Sequence, residues 1–142
     1  MSSCPFCDFA EEAVVVHSDG RCYAVVSRDP INRHHLLVIP REHFRYFVDL
    51  PDDLAAHLFL VTKRLSAALR RTVSPEAICH LSEDDMTGAY NLVEHYKLHL
   101  IPRFAGDGVA IDWGRQAATP QQRASYAANV RAHLGDQSHG GA

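Results

Sequence analysis

The sequence predicts an α+β domain with five short strands, one long helix and a C-terminal helix. Two observations support this class. Short apolar runs bounded by turn residues occur on both sides of a single long stretch with helical periodicity. A second helix start, marked by its own capping residues, lies near the end of the chain.

The first part of the chain reads as a hairpin followed by a third strand. Residues 13–17 and 21–26 are the two arms, and Ser18-Asp19-Gly20 supplies turn chemistry between them. After a polar loop, residues 34–40 form the third strand, which Pro40 ends.

Residues 51–72 are the clearest helix. Pro51 suits the first helical position, and the acidic residues after it suit the positive end of the helix. Leucine and valine recur at steps of three or four along one stripe, at Leu54, Leu58, Val61, Leu65 and Leu69. His57, Lys63 and Arg64 lie off the stripe, so we interpret them as solvated.

Residues 77–81 and 92–102 are the last two strands, which we expect to pair antiparallel. The final helix begins at Thr119-Pro120-Gln121-Gln122, with a threonine N-cap, a proline at the first position and a glutamine at the third. We predict a single domain over residues 1–136 and a disordered tail over 137–142.

Composition narrows the class of protein. The 142 residues are 46% hydrophobic and 22% charged, with a net charge of -3, which is ordinary for a globular domain and argues against binding of a nucleic acid polymer or a membrane surface. With no signal-peptide pattern, we expect a cytoplasmic protein, in which the four cysteines are thiols or metal ligands rather than disulfides.

Two short motifs carry chemistry. His95, Lys97 and His99 alternate with apolar residues, so an extended strand would place all three on one face. The alternative is a half-exposed strand with incidental polar residues. Cys4-Pro5-Phe6-Cys7 has the spacing of a zinc knuckle, but zinc needs two further ligands, and incidental cysteines are the alternative.

The combined order of these motifs resembles the histidine triad (HIT) superfamily, in the branch of small nucleotide hydrolases and transferases. The resemblance rests on the Cys-x-x-Cys knuckle, the segment 35–43, the long helix and the segment 95–103. It implies a HIT-like antiparallel sheet of about five strands and a homodimer, with Trp113 in the segment that reaches the partner's pocket.

The resemblance assigns roles on the last strand. The superfamily pattern is His-x-His-x-His, and its middle histidine is the nucleophile that carries the nucleotidyl group. Here Lys97 occupies that position. By the same resemblance, His35 and His99 border the phosphate pocket and act with Lys97 as the candidate catalytic residues. His34 alternates to the opposite face of the strand, so we expect it at the surface. His80 could point either way.

The resemblance also completes the metal site. Many bacterial members hold zinc with the knuckle, a histidine after the proline-ended strand and the first triad histidine. Cys4, Cys7, His43 and His95 fill these positions. Such a Cys₂His₂ set is closed and tetrahedral, which is typical of structural zinc.

Other positions depart from the superfamily pattern. Ser27 stands where an acidic residue usually binds ribose, and Asn91 stands where a phosphate-binding glutamine is usual, so these two are the candidate substrate-binding residues beside His99. The loop after the fourth strand carries Glu83, Asp84 and Asp85, which would repel a phosphate.

Lysine cannot replace a nucleophilic histidine directly, because a free amine with a pKa near 10.4 is protonated at pH 7. Three roles are open for Lys97: a clamp on an anion, an acid–base or Schiff-base amine with a lowered pKa, or a salt bridge to the acidic loop in an inactive protein.

These roles define the functional hypotheses. The first is a zinc-stabilised enzyme acting on a nucleotide or other phosphorylated or anionic small molecule, with chemistry altered at Lys97. The alternatives are a HIT scaffold repurposed for a non-hydrolytic biosynthetic reaction through Lys97 and His99, or a non-catalytic binding protein.

Overall fold

The structure is a computed structural model that describes residues 4–8, 13–82, 84, 93–110 and 114–134. It divides into two compact units, residues 1–109 and 110–142. The strands and the long helix belong to the first unit, and the C-terminal helix belongs to the second. A single domain over residues 1–136 stays a prediction, and the expected tail lies outside the described residues.

The first unit contains one five-stranded sheet. The strands are β1 (Val15–Ser18), β2 (Cys22–Val26), β3 (Leu36–Pro40), β4 (Ala77–Leu81) and β5 (Leu98–Arg103). Their spatial order is β1-β2-β3-β5-β4, and every neighbouring pair is antiparallel. The predicted α+β class and the antiparallel pairing of the last two strands are therefore confirmed.

The hairpin between β1 and β2 depends on Asp19. Its Oδ1 atom accepts hydrogen bonds from the backbone N–H groups of Arg21, at 2.8 Å, and Cys22, at 2.9 Å. An aspartate that caps its own turn in this way fixes the chain reversal.

The long helix α1 spans Asp52–Val73 and packs against β3 and β5. Leu54, Leu58, Val61 and Leu69 are buried along it, as the apolar stripe predicted. Pro51 is the N-cap rather than the first helical residue, because its ψ of 142° is extended and helical dihedrals begin one residue later.

The sheet has two apolar faces. One face packs beneath α1 in a core that includes Val38, Tyr96, Leu98 and Leu100. The other carries a smaller cluster with Phe6 packed against it, made of Tyr23, Val25, Leu37 and Ile39. His99 pairs with Leu37 across β3 and β5, so its side chain lies on this second face.

Four strands begin later than predicted: β1 at Val15, β2 at Cys22, β3 at Leu36 and β5 at Leu98. β3 starts at Leu36 because His34 has φ of 62°, a left-handed conformation that a strand cannot contain. β5 starts at Leu98 because the backbone before it bonds elsewhere: the N–H of Tyr96 donates to the carbonyl of Phe44 at 2.6 Å. His34 is exposed, as expected.

His57 on α1 is not simply solvated, contrary to the prediction. Its Nε2 atom donates to Asp19 Oδ2 at 2.9 Å, and its side chain is 27% exposed. The packing of α1 against the hairpin creates this contact, so helical periodicity alone could not reveal it.

The second unit contains α2, Pro120–Leu134. Gln122 N–H donates to Thr119 Oγ1 at 3.1 Å, and Thr119 N–H donates to Gln122 Oε1 at 2.8 Å, which is the predicted capping box. None of the residues of α2 is buried. Across the part of the chain that the structure describes, no helix is long and apolar enough to cross a membrane.

Candidate functional site

Two buried histidines form a direct hydrogen bond on the second face of the sheet. His35 lies at the entry to β3 and His99 lies in β5, and they are 2% and 7% exposed. His35 Nε2 and His99 Nδ1 are 3.0 Å apart. The structure thus brings together two of the three predicted catalytic residues.

A backbone donor decides which nitrogen carries each proton. The N–H of Ile31 can only donate, and it donates to His35 Nδ1 at 3.1 Å. In neutral His35 the ring proton is therefore on Nε2, which donates to His99 Nδ1. The proton of neutral His99 is consequently on Nε2, so that atom is a hydrogen-bond donor.

Burial keeps both rings neutral near pH 7. Desolvation lowers the pKa of His35 to about 4. Desolvation, with smaller contributions from the charges of His35 and Lys97, lowers the pKa of His99 to about 4. The assigned tautomers therefore describe the pair at neutral pH.

Lys97, the third predicted catalytic residue, is also buried, with 4% of its surface exposed. Its Nζ atom donates to the carbonyl oxygens of Val93, at 2.9 Å, and His95, at 3.0 Å, and lies 5.3 Å from the centre of the Phe6 ring. Burial lowers the pKa of Lys97 to about 8. The amine is thus mostly protonated at pH 7, and its position is set by backbone carbonyls.

The apolar residues that alternate with His95, Lys97 and His99 lie on the helix side of the sheet, as predicted, although β5 begins only at Leu98. Tyr96 packs into the core beneath α1, together with Leu98. Burial, with a smaller contribution from the charge of Lys97, lowers the pKa values of both His95 and His99.

The four predicted metal ligands converge. The donor atoms of Cys4, Cys7, His43 and His95 all lie within 4.8 Å of one another. Thiol sulfur atoms approach imidazole Nδ1 atoms at 3.4 Å for Cys4 and His95, 3.3 Å for Cys7 and His43, and 3.6 Å for Cys7 and His95.

These separations between donor atoms fit a cation with tetrahedral coordination. Bond lengths of about 2.3 Å to sulfur and about 2.0 Å to nitrogen place neighbouring tetrahedral donors about 3.5 Å apart. His95 Nε2 also donates to the carbonyl of Pro40 at 2.8 Å, so the ring proton is on Nε2. The lone pair of the His95 ring is therefore on Nδ1, which faces the thiols. The donor set could therefore hold a metal ion.

Phe6 and Tyr23 are site residues that the sequence reasoning missed. The Tyr23 hydroxyl donates to the carbonyl of Phe6 at 2.6 Å, and the Phe6 ring meets the His95 ring edge-on at 5.8 Å. These contacts dock the knuckle on the sheet. The alternation of β2 could have suggested that Tyr23 faces this way, but not its partner.

Of the other predicted substrate-binding residues, the structure describes Ser27 but not Asn91. Ser27 is half-buried, and its N–H donates to the carbonyl of His35 at 2.8 Å, so it lies beside the histidine pair. Asn91 lies outside the described residues, as do Glu83 and Asp85.

Two further polar residues face the helix side of the sheet. His80 is exposed and its Nε2 is 3.0 Å from the Ser66 hydroxyl on α1. Asp84 Oδ2 accepts a hydrogen bond from the N–H of Phe47 at 2.8 Å. Both residues line an open groove of about 400 Å³ that also contacts Tyr96. They therefore lie away from the face that holds His99.

A five-stranded antiparallel sheet carrying a buried histidine pair and a Cys₂His₂ cluster defines a small α+β domain of the histidine triad type. The HIT domain family model matches residues 9–106, so the chain belongs to the HIT domain family.

Known proteins agree with this membership. The crystal structure of a HIT family member from Bacillus subtilis superposes with a TM-score of 0.84 at 24% identity, covering 94% of this chain and 98% of that one, which supports the fold. A Zn-bound histidine triad family protein from Mycobacterium smegmatis has a TM-score of 0.69 at 26% identity, covering 92% and 97%. The adenosine 5'-monophosphoramidase of Candida albicans is 25% identical over 123 residues, covering 82% and 81%.

Proposed function

We propose that His35, Lys97 and His99 form the active site of an enzyme that acts on a nucleotide or another phosphorylated small molecule, with Lys97 serving as a fixed cation rather than a nucleophile. The observation that carries this proposal is the tethering of the Lys97 amine to the carbonyls of Val93 and His95. The adenosine 5'-monophosphoramidase relative supports the substrate class.

The tether argues against attack on phosphorus. An amine that donates to two carbonyls and has a pKa of about 8 is mostly an ammonium at pH 7, and an ammonium has no lone pair. A buried ammonium and the His99 Nε2–H would together provide positive charge and a donor, the two features that stabilise a phosphoryl group. Ser27 and Asn91 remain candidates for contacts to the rest of the substrate.

Calorimetric titration with AMP tests this proposal. The wild type should bind AMP, and Lys97→Met should weaken binding at least about tenfold, or roughly 1.4 kcal/mol. Lys63→Met, an exposed lysine on α1, is the matched control and should bind as the wild type does. Absence of AMP binding by the wild type would contradict the substrate class, and unchanged affinity in Lys97→Met would contradict the clamp.

A separate experiment tests whether Lys97 forms a covalent intermediate. Incubation with adenosine 5'-monophosphoramidate should leave no adenylyl adduct on the wild type by intact-mass analysis. Lys97→His restores an imidazole at the nucleophile position, and we expect this variant to gain hydrolysis. An adenylyl group mapped to Lys97 in the wild type would overturn the cationic role.

A second candidate is a non-hydrolytic biosynthetic reaction in which Lys97 and His99 act as acid–base or oxyanion groups. The lowered pKa of Lys97, about 8, favours it, because an amine that titrates near neutrality can exchange a proton or form a Schiff base. Borohydride trapping of a carbonyl compound on Lys97 would support it. A non-catalytic binding protein predicts neither trapping nor turnover, with Lys97→Ala leaving the cellular phenotype intact.

We further propose that Cys4, Cys7, His43 and His95 hold a structural Zn²⁺ in a cytoplasmic protein. The support is the donor geometry and the Zn-bound histidine triad protein of Mycobacterium smegmatis. A closed set of four protein ligands leaves no position for substrate, so the ion would tie the knuckle to the segment that precedes β5.

A homodimer is the last part of the proposal. Apolar side chains remain exposed on α1 and beside it, with Phe47 42%, Phe59 50% and Leu60 54% exposed in the single chain. Light scattering after gel filtration should give twice the chain mass, and Phe59→Glu should lower it. Trp113, which we expected to reach the partner's pocket, lies outside the described residues.

A further inference from the structure

A second group of metal-ligand side chains lies on the face of the sheet that packs beneath α1. Its centre is Asp19, in the turn between β1 and β2. His17 Nε2 donates to Asp19 Oδ2 at 2.9 Å, and the Cys22 sulfur is 3.7 Å from the same oxygen. The donor atoms of these three residues all lie within 4.8 Å of one another.

We propose that His17, Asp19 and Cys22 form a second binding site for a divalent transition metal, with His57 as a positioning residue. An imidazole, a carboxylate and a thiol together suit a cation such as Zn²⁺ or Co²⁺ rather than Mg²⁺ or Ca²⁺, which prefer oxygen ligands. Three protein ligands leave a fourth position open, in contrast to the closed Cys₂His₂ set.

The carboxylate is oriented in advance. Asp19 Oδ1 is occupied by the backbone N–H groups of Arg21 and Cys22, so Oδ2 is the oxygen directed at the side-chain cluster. His57 Nε2 donates to that oxygen from α1 at 2.9 Å. A histidine that orients a ligating carboxylate is the kind of outer partner that metal sites commonly have.

The cluster is reachable by an ion. The side chains of His17 and Asp19 are 31% and 29% exposed, whereas Cys22 is fully buried beneath them. An ion would enter from the solvent side, through His17 and Asp19, and meet the sulfur from the core. This burial of one soft ligand would favour a dehydrated transition metal over a hydrated cation.

The charges balance. The carboxylate and a thiolate together neutralise a divalent ion, provided that the Cys22 proton is released to solvent and the His17 ring proton moves from Nε2 to Nδ1. Two guanidinium groups flank the cluster: Arg41 Nε donates to the carbonyl of Asp19 at 2.6 Å, and Arg21 is bound to Asp53 at 2.7 Å.

The second site is independent of the first. Cys22 belongs to the core beneath α1, whereas Tyr23, the next residue, packs with Phe6 on the opposite face. The two clusters therefore lie on opposite faces of the sheet, and each can be removed without altering the other's ligands.

Measuring the metal content of variants distinguishes a metal site at the Asp19 cluster from a purely structural hydrogen-bond network. Tag-free full-length protein, loaded with Zn²⁺ and dialysed, should retain one equivalent fewer in His17→Gln than in the wild type. The Cys4→Ser/Cys7→Ser double variant should keep that equivalent, and adding His17→Gln should remove it. His133→Gln, an exposed histidine on α2, is the matched control and should retain the wild-type content.

Co²⁺ identifies the sulfur ligand. In the Cys4→Ser/Cys7→Ser background, bound Co²⁺ should show a thiolate charge-transfer band that Cys22→Ser abolishes. His57→Gln should keep the band but weaken Zn²⁺ binding by about 10–100-fold, as an outer partner does. Equal zinc content in wild type and His17→Gln would overturn the site even if Cys22→Ser failed to fold. Unchanged affinity in His57→Gln would overturn its positioning role.

Discussion

His35 donates a hydrogen bond from Nε2 to Nδ1 of His99 across 3.0 Å, in a part of the sheet where both rings are almost fully buried. Because Ile31 N–H occupies the other nitrogen of His35, the direction of this bond is determined. The pair thus presents a donor at His99 Nε2 without carrying a charge. Lys97 supplies the charge of the site.

The histidine pair should make stability depend on pH. Both pKa values are lowered to about 4, so between about pH 6.5 and pH 4 the unfolded chain binds protons that the folded chain does not. The free energy of unfolding should therefore fall as pH decreases through that window, by roughly 3 kcal/mol at most for each ring, and level off below it.

Urea unfolding at pH 7, 6 and 5, in chelator so that metal release does not contribute, measures this slope. His35→Leu/His99→Leu should reduce the slope and leave the part that comes from His95, whose pKa burial also lowers. His34→Asn changes an exposed neighbouring histidine and should leave the slope as in the wild type. A wild-type slope in the double leucine variant would assign the pH dependence to other groups.

Lys97 should titrate far below an ordinary amine. The chain has two lysines, Lys63 and Lys97, so lysine-selective ¹³C labelling gives two side-chain signals, and Lys63→Gln assigns them. The Lys97 signal should shift with a midpoint near pH 8 because burial disfavours its charged form. A midpoint near 10.4, the value of a free lysine, would contradict the buried environment.

The same shift has a consequence for stability. Lowering the pKa of a base in the folded state means that stability rises between about pH 8 and 10.5, as the folded amine loses its proton first. Lys97→Met should remove this rise, which unfolding measurements at pH 7.5 and 9.5 would show.

Removing the proposed zinc ion should destabilise the protein. An ion that binds only the folded chain adds about 2.7 kcal/mol when its concentration is 100 times its dissociation constant. Chelation should therefore lower the melting temperature of the wild type by more than that of Cys7→Ser, which lacks a knuckle ligand and keeps only the Asp19 cluster. Cys79→Ser alters a cysteine outside both clusters and should respond to chelator as the wild type does.

Leu58 and Leu60 provide a matched test of the core beneath α1. Leu58 is fully buried, whereas Leu60 is 54% exposed two residues later on the same helix. Leu58→Ala should cost about 2–5 kcal/mol of unfolding free energy through lost burial and the cavity left behind. In the Phe59→Glu background, which disfavours the proposed dimer, Leu60→Ala should cost less than about 0.5 kcal/mol. Equal losses of unfolding free energy in the two variants would contradict the position of Leu58 in the core.

Local chemistry in the sequence determined most of the scaffold. The apolar stripe of α1, the capping box at Thr119 and the five strands follow from residue periodicity and side-chain hydrogen bonding over a few positions. The start of β5 did not follow. Its predicted extension over residues 93–97 fails because the Tyr96 N–H bonds to the carbonyl of Phe44, a partner 52 positions away that no local pattern indicates.

The sequence by itself also determined which side chains could carry chemistry, through the spacing of the cysteine knuckle and of His95, Lys97 and His99. Only the tertiary structure decided what they do. Burial sets the pKa values, and the direction of the His35–His99 bond comes from a backbone donor in the loop that leads into β3, which the sequence pattern did not indicate. The contact of His57 with the Asp19 cluster likewise depends on how α1 packs against the hairpin rather than on the order of the elements.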